Sequence, residues 1–248
     1  VTGGGSGIGR TIARSLAAHG ASVAITGRKL DRLEQVAAEI TAAGGQAQAL
    51  AADVRDPVAL EAVAAAIDAR WGRLDTVIAG AAGNFLAPAV GLSANAYGTV
   101  IDIDLKGTFH TCKAAFPLLS RAGGSIVAIT ATLQYTGTPL QVHASSAKAG
   151  VDALVRGLAV EWGPAGIRVN GVAPGPIADT PGMSKLAPGA ALDALAAKIP
   201  LQRLGTTEDV ANAVLFLVSP AASWVSGAVV VVDGAQWLAG AGLAALLG

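Results

Sequence analysis

Two hydrophobic periods alternate along the chain. Short, nearly continuous apolar runs occur at Ser22–Thr26, Ala47–Ala51, Thr76–Ala79, Ser125–Ile129, Arg168–Ala173 and Ala228–Val232. Each is bounded by Gly, Pro or Asp and is too short for a buried helix, which predicts strands buried on both faces. Between them, apolar residues recur at helical spacing. Ile12, Leu16 and Ala17 share one face, as do Leu33, Val36, Ala37 and Ile40. Asp56-Pro57 supplies a cap and a first-turn proline for a helix through Val58–Ala69. Thr206-Thr207-Glu208-Asp209 opens another, with Val210, Val214 and Leu217 turned inward. Such strands, with helices between them, form a parallel sheet wound on both sides. No linker or low-complexity run interrupts the pattern, so residues 1–248 are expected to fold as a single α/β domain.

"TGGGSGIG", residues 2 to 9, is a Gly-rich turn that belongs directly after a strand. Only Val1 precedes it. The doubly wound, Rossmann-type sheet is therefore expected to have its first strand largely absent from this sequence, as though the native chain began earlier. Gly3 lets the chain turn, Gly7 clears space for a pyrophosphate, and Gly9 lets the next helix pack closely with its N-terminus toward the phosphates. The following strand ends in "ITGRK". An acid there would bond a ribose 2′-hydroxyl, whereas Arg28 and Lys29 favour a 2′-phosphate and hence NADPH. The alternative is a solvated basic turn. Asp53 closes the next strand in "AADVRD", placed to meet an adenine amino group or to cap its own loop.

Composition narrows the picture. Seventeen basic residues balance seventeen acidic ones, so nothing marks a nucleic-acid surface. The single cysteine, Cys112, excludes an internal disulfide and any cysteine-based metal cluster, and reads as a small apolar residue on a helix. No metal site is expected. No run of about 20 apolar residues predicts a membrane span. Neither a signal peptide nor a C-terminal peroxisomal tripeptide is recognisable, and a cytoplasmic location is expected, although the sequence starts without Met.

The TGxxxGxG turn, the strand-end Asp53-Val54, Lys148 on a helix, and "PGPI" (174–177) together resemble the short-chain dehydrogenase/reductase family over nearly the whole chain. Within it, "AAGNF" (81–85), "DID" (102–104), "ITATL" (129–133), "QVHASSAKAG" (141–150), "LQRLGT" (201–206) and "VVDGAQWL" (231–238) are similar to 2,4-dienoyl-CoA reductases, nearer the peroxisomal than the mitochondrial type. The resemblance implies NADPH-dependent reduction of 2,4-dienoyl-CoA to 3-enoyl-CoA in unsaturated fatty acid β-oxidation, by a homo-oligomer, either tetramer or dimer. It implies cofactor contacts from Ser6, Ile8 and Val54 beside the residues above, from Lys148 at the ribose, and from Pro174, Gly175, Ile177 and Thr180 at the nicotinamide end.

Most of the family uses a Ser, a Tyr, a Lys and a helix Asn. In this sequence the Ser position is Ala131, the Tyr position is Ala144, the Asn position is Asp104, and a loop Tyr of the mitochondrial type is matched by Leu133. Lys148 remains. A dienoyl thioester suits this set, because its oxygen gathers charge without keeping a proton and needs donors instead of an acid. The resemblance gives that donor role to Asn84, whose alternative is bracing its own loop, and sets Phe85 beside the acyl chain or in plain core. The proton at Cα is expected through water from Asp104 and Asp233, the two carboxylates raising one pKa between them. Asp233 has the alternative of a strand-end cap. Asp102 reads as structural and His143 as a helix-entry residue. Tyr135 is the rival acid, which would make the protein another acyl-CoA or carbonyl reductase. A non-catalytic nucleotide-binding scaffold is the third reading. The family's Asn-Asn-Ala-Gly appears here as the altered stretch Ala79–Gly83. Thr180 to about Leu192 suits a lid, and "WLAGAGLAALLG" at the C-terminus suits a subunit contact.

Overall fold

The apolar runs become six parallel strands in the computed structural model, which describes residues 1–178, 180, 182–183 and 190–239. They are β1 (Ser22–Gly27), β2 (Gln46–Ala51), β3 (Thr76–Ala79), β4 (Gly124–Ile129), β5 (Ile167–Pro174) and β6 (Val229–Val232). Neighbours pair in the orders β1-β2 and β3-β4-β5-β6. Val1 and Thr2 join the two sets. Thr2 bridges in parallel to both Thr26 and Ala79. Thr2 N donates to Ile78 O and Thr26 N donates to Val1 O, each at 2.9 Å. The central place of the sheet is thus held by two residues, as expected from the short lead into the Gly-rich turn.

The helices are α1 (Gly7–Ala18), α2 (Leu30–Ala42), α3 (Pro57–Trp71), α4 (Ala94–Val100), α5 (Gly107–Leu119), α6 (Leu133–Thr136), α7 (Val142–Trp162), α8 (Ala190–Ala196) and α9 (Thr207–Val218). Alternation along β4 fills both sides of the sheet. Ile126 and Ala128 pack with Cys112, Leu119, Val151 and Val155 of α5 and α7. Val127 and Ile129 pack with Ile12, Val210, Val214 and Leu217 of α1 and α9. Burial pushes the Cys112 thiol up to about 12, which leaves it the inert filler its sequence setting implied.

Local chemistry sets the helix starts. Asp56 accepts from Val58 N and Ala59 N at the head of α3. Thr206 and Asp209 form a reciprocal capping box at α9. Thr207 Oγ1 accepts from Thr11 Oγ1 at 2.9 Å, so the cap of α9 is tied to α1, the helix that follows the Gly-rich turn. One departure matters for function. Between α4 and α5 the chain takes a π-helical turn, Ile101–Lys106, which the apolar period does not announce. Its wider turn brings Asp104 inward to 1% exposure, and such turns concentrate at functional sites. Most of the expected lid, 181 and 184–189, and the C-terminal tail, 240–248, lie outside the described residues.

Arg203 grips Asp209 at 2.6 Å and, with the Thr206 backbone, holds its carboxyl at about 2. A carboxyl depressed on folding stabilises above its unfolded pKa, ordinarily 3.8, and loses that contribution as pH falls toward the folded value. Asp209→Asn should therefore lower the urea midpoint at pH 7, with the deficit shrinking as pH is taken from 5 to 3. A deficit constant over that range would show that Asp209 acts through packing and not charge.

Candidate active site

A cavity of about 1030 Å³ opens at the C-terminal ends of the strands, where α/β sheets of this type bind ligands. The Gly-rich turn forms one wall. Gly3 has φ 71°, and a Cβ there would lie 2.6 Å from Gly80 O; a Cβ on Gly9 would lie 2.3 Å from Gly3 O. Only glycine fits at either place. Ser6 caps α1 without a side-chain bond to its first turn, and Ser6, Gly7 and Ile8 line the cavity. Free N–H groups at a helix start suit a pyrophosphate.

Arg28, Lys29 and Arg32 line the same cavity. Among the described residues none of the three side chains makes an ion pair, whereas Arg10 is consumed by Glu39. Sequence reasoning missed Arg32, although it follows Arg28 by four residues at the head of α2. Asp53 lines the cavity with Val54, its carboxylate gripped by Arg55, whose hydrogen bonds hold its pKa below the usual value. At the far end Pro174, Gly175, Ile177 and Thr180 line the wall, and Thr180 Oγ1 donates to Ile177 O at 3.1 Å.

Lys148 and Asp104 occupy the centre. Both are nearly fully buried, with Lys148 Nζ 3.3 Å from Asp104 Oδ2. Lys148 Nζ also donates to Ile129 O at 2.9 Å, and Asp104 Oδ1 accepts from Gly83 N at 2.7 Å. The π turn, β4, α7 and the loop after β3 therefore meet at one ion pair. Ala131, Leu133 and Ala144, the positions that the family resemblance matched to hydroxyl-bearing residues, line the same cavity. Asp102 points outward to Lys106 at 2.7 Å, a structural pair as expected.

Tyr135 is turned away from acid chemistry. Its hydroxyl donates to Asp152 Oδ2 at 2.8 Å. Burial first, then the Asp152 hydrogen bond and charge, push its pKa well above the ordinary phenol value, which makes it a weaker acid. Asp152 also accepts from Thr130 Oγ1 at 2.7 Å and Gln134 Nε2 at 2.8 Å, a buried anchor that no local motif marks.

Asn84 lines the cavity with its carbonyl accepting from Phe85 N at 2.8 Å and its amide donating to Gln141 Oε1 at 2.5 Å. The loop-bracing and cavity-facing readings of Asn84 are thus both present in one side chain. The wall place expected for Phe85 belongs to Leu86. The Phe85 ring instead stacks on His143 with centroids 4.3 Å apart, and His143 Nε2 bonds Phe85 O at 3.1 Å. Asp233 takes the capping role, since Ala235 N and Trp237 N donate to its two oxygens. It is absent from the cavity wall and is not brought to Asp104. Among the described residues no cluster of His, Cys, Asp or Glu is arranged to hold a metal ion.

A family model described as enoyl-(acyl carrier protein) reductase matches residues 3–235. A zebrafish protein, Danio rerio peroxisomal 2,4-dienoyl-CoA reductase, (3E)-enoyl-CoA-producing, is 50% identical over 247 residues, 97% of this chain and 81% of that protein. The Pongo abelii protein of the same name is 49% identical over 241 residues, 96% of this chain and 82% of that one. A short-chain type dehydrogenase/reductase from Mycobacterium ulcerans superposes with a TM-score of 0.91 at 35% identity, covering 99% of this chain and 92% of that one. The expectation of a cytoplasmic location is corrected by the two dienoyl-CoA reductases among these, whose names place them in peroxisomes. The absence of a recognisable address in the residues misled that expectation. In fold, site and sequence the chain belongs to the short-chain dehydrogenase/reductase family.

Proposed function

We propose that this protein reduces 2,4-dienoyl-CoA to 3-enoyl-CoA with NADPH, in peroxisomal β-oxidation of unsaturated fatty acids, and that it works as a homo-oligomer. One observation carries the chemistry: a buried Asp104–Lys148 pair faces a wall from which every expected hydroxyl is missing. Ala131, Leu133 and Ala144 offer no acid for a carbonyl oxygen, and Tyr135 is committed to Asp152. A conjugated thioester needs no such acid.

When bound, the nicotinamide would supply a hydride to Cδ of the diene. The Gly3–Gly9 turn and the head of α1 would hold the pyrophosphate, and Arg28, Lys29 and Arg32 would hold the 2′-phosphate. Lys148 gives one N–H to Ile129 O and is paired in charge with Asp104 3.3 Å away. A remaining N–H would meet the ribose. Asn84 donates to the thioester oxygen as charge collects there. Asp104 and Lys148 orient a water that returns the proton at Cα, with Gly83 N fixing the carboxylate. Asp233 braces the turn behind Gly175, where a Cβ would lie 2.5 Å from Asp233 Cβ, and so supports the nicotinamide end without sharing the proton. Exposed Val160 and Trp224 offer apolar surface for a second subunit.

NADPH oxidation should be tested with a 2,4-dienoyl-CoA, a 2-enoyl-CoA and a 3-ketoacyl-CoA in parallel. Only the dienoyl substrate should turn over, giving a 3-enoyl product. Turnover of the ketoacyl substrate alone would defeat the assignment. Cofactor choice has its own check. Arg28→Ala should raise the Kd for NADPH by roughly 10- to 100-fold, the loss of charge-assisted bonds to one phosphate, and leave that for NADH within about twofold. Equal weakening of both would return Arg28 to a solvated turn.

A further inference from the structure

Gln141 is the strongest unassigned group in the cavity. It is only 9% exposed, yet it lines the wall beside Asn84 and Leu140. Its orientation follows from hydrogen-bond bookkeeping alone. A backbone N–H can only donate, so Phe85 N requires the carbonyl oxygen of Asn84 on its side. The Asn84 amide nitrogen must then face Gln141. That nitrogen can only donate, so Gln141 presents Oε1 to it, at 2.5 Å. The Gln141 Nε2 amide is consequently turned elsewhere, and among the described residues it has no hydrogen-bond acceptor.

The backbone holds this arrangement at a cost. Leu140, immediately before Gln141, has φ 64°, a left-handed conformation that is strained for a leucine. Leu140 O accepts from Ala87 N at 2.9 Å, and His143 bonds and stacks on Phe85. Three ties therefore clamp the 84–87 loop to the head of α7, with the two amides side by side. Strain of this kind persists where the surroundings fix it, and here it fixes a side chain with unused donors facing a ligand cavity.

We propose that Gln141 is a second donor to the acyl thioester oxygen, working as a pair with Asn84. Its Oε1 takes one Asn84 N–H and so aims the other, and its own Nε2 adds a further N–H to the same oxygen. Two amides replace the hydroxyls lost at Ala131 and Ala144. The proposal rests on the dienoyl-CoA assignment above.

The test compares Gln141→Glu and Gln141→Met with the wild-type protein. Glutamate keeps an acceptor for Asn84 and removes the donor; methionine removes both. Two quantities are read: kcat against KM, and the absorption of a 2,4-dienoyl-CoA bound in the presence of NADP⁺, where no reduction occurs. Donors on the thioester oxygen draw charge along the diene and move its band to longer wavelength. The wild type should show this shift. Both variants should lose much of it and fall roughly 10²-fold in kcat, the usual effect of losing one such donor, with NADPH affinity within about twofold. If Gln141→Glu keeps the shift and the rate, Gln141 only braces Asn84 and the proposal is overturned. Normal NADPH binding in Gln141→Glu guards against mistaking misfolding for lost donation. A wild-type protein that neither binds nor reduces the dienoyl thioester would remove the substrate assignment, and this donor role with it.

Discussion

The site depends on one buried ion pair. Lys148 and Asp104 sit 3.3 Å apart with almost no exposure, and each is finished by a backbone group, Ile129 O for the lysine and Gly83 N for the aspartate. Two charges out of water are tolerated only when each is paired and its remaining bonds are satisfied, and removing one partner from such a pair typically costs about 3–5 kcal/mol. The pair therefore fixes the relation of four pieces of chain. The π turn exists to deliver Asp104. The loop after β3 is hung from it by Gly83, one residue before Asn84. The end of β4 is bound to α7 through Lys148.

The proposed mechanism asks for no tyrosine at position 144. Ala144 packs with Val100, Ala147 and Leu133 and presents only a methyl group to the cavity. Tyr135 has not moved in to substitute. Asp152 holds its hydroxyl and opposes its ionisation, while its ring lies 5.5 Å from that of Trp237 on the cavity wall. Its work is to tie the loop after β4 to the C-terminal wall. In the proposed mechanism, proton transfer falls to Asp104 and Lys148 through water, and oxygen stabilisation to the amides of the 84–87 loop and the head of α7.

Much of this was legible in the residues. The strand runs lie within about a residue of the observed strands because short apolar runs between turn residues leave a strong signal, although only β3, β4 and β5 are buried along most of their length while β2 and β6 are half-buried. The caps at Asp56 and Thr206 are local side-chain chemistry. The glycine turn was legible because backbone approach at Gly3 and Gly9 excludes any side chain. The basic turn at Arg28 was equally plain, while Arg32 needed the start of α2 to be known. What escaped depended on tertiary partners. The π turn leaves the apolar period unchanged. Gln141 looks like an ordinary helix-entry residue until Asn84 is seen against it. Asp233 sits at a strand end in either reading, and only its bonds to Ala235 and Trp237 decide for the cap. Phe85 looked like a substrate wall because nothing in its neighbourhood in sequence foretells a stack on His143.

The central claim is that the Asp104–Lys148 pair, and not a tyrosine, serves the proton. The most direct measurement compares kcat for dienoyl-CoA and the Kd for NADPH in Asp104→Asn and Tyr135→Phe. Asparagine preserves the shape and the bond from Gly83 but leaves the buried Lys148 charge unpaired, so the Tm of each variant is read beside kcat and the Kd for NADPH to separate lost stability from lost proton transfer. Asp104→Asn should lose about 10²-fold or more in kcat with NADPH binding nearly unchanged, as for removal of a group that handles the transferred proton, and Tyr135→Phe should keep most of its activity. A Tyr135→Phe protein without turnover, beside an Asp104→Asn protein of near-normal rate, would contradict the account.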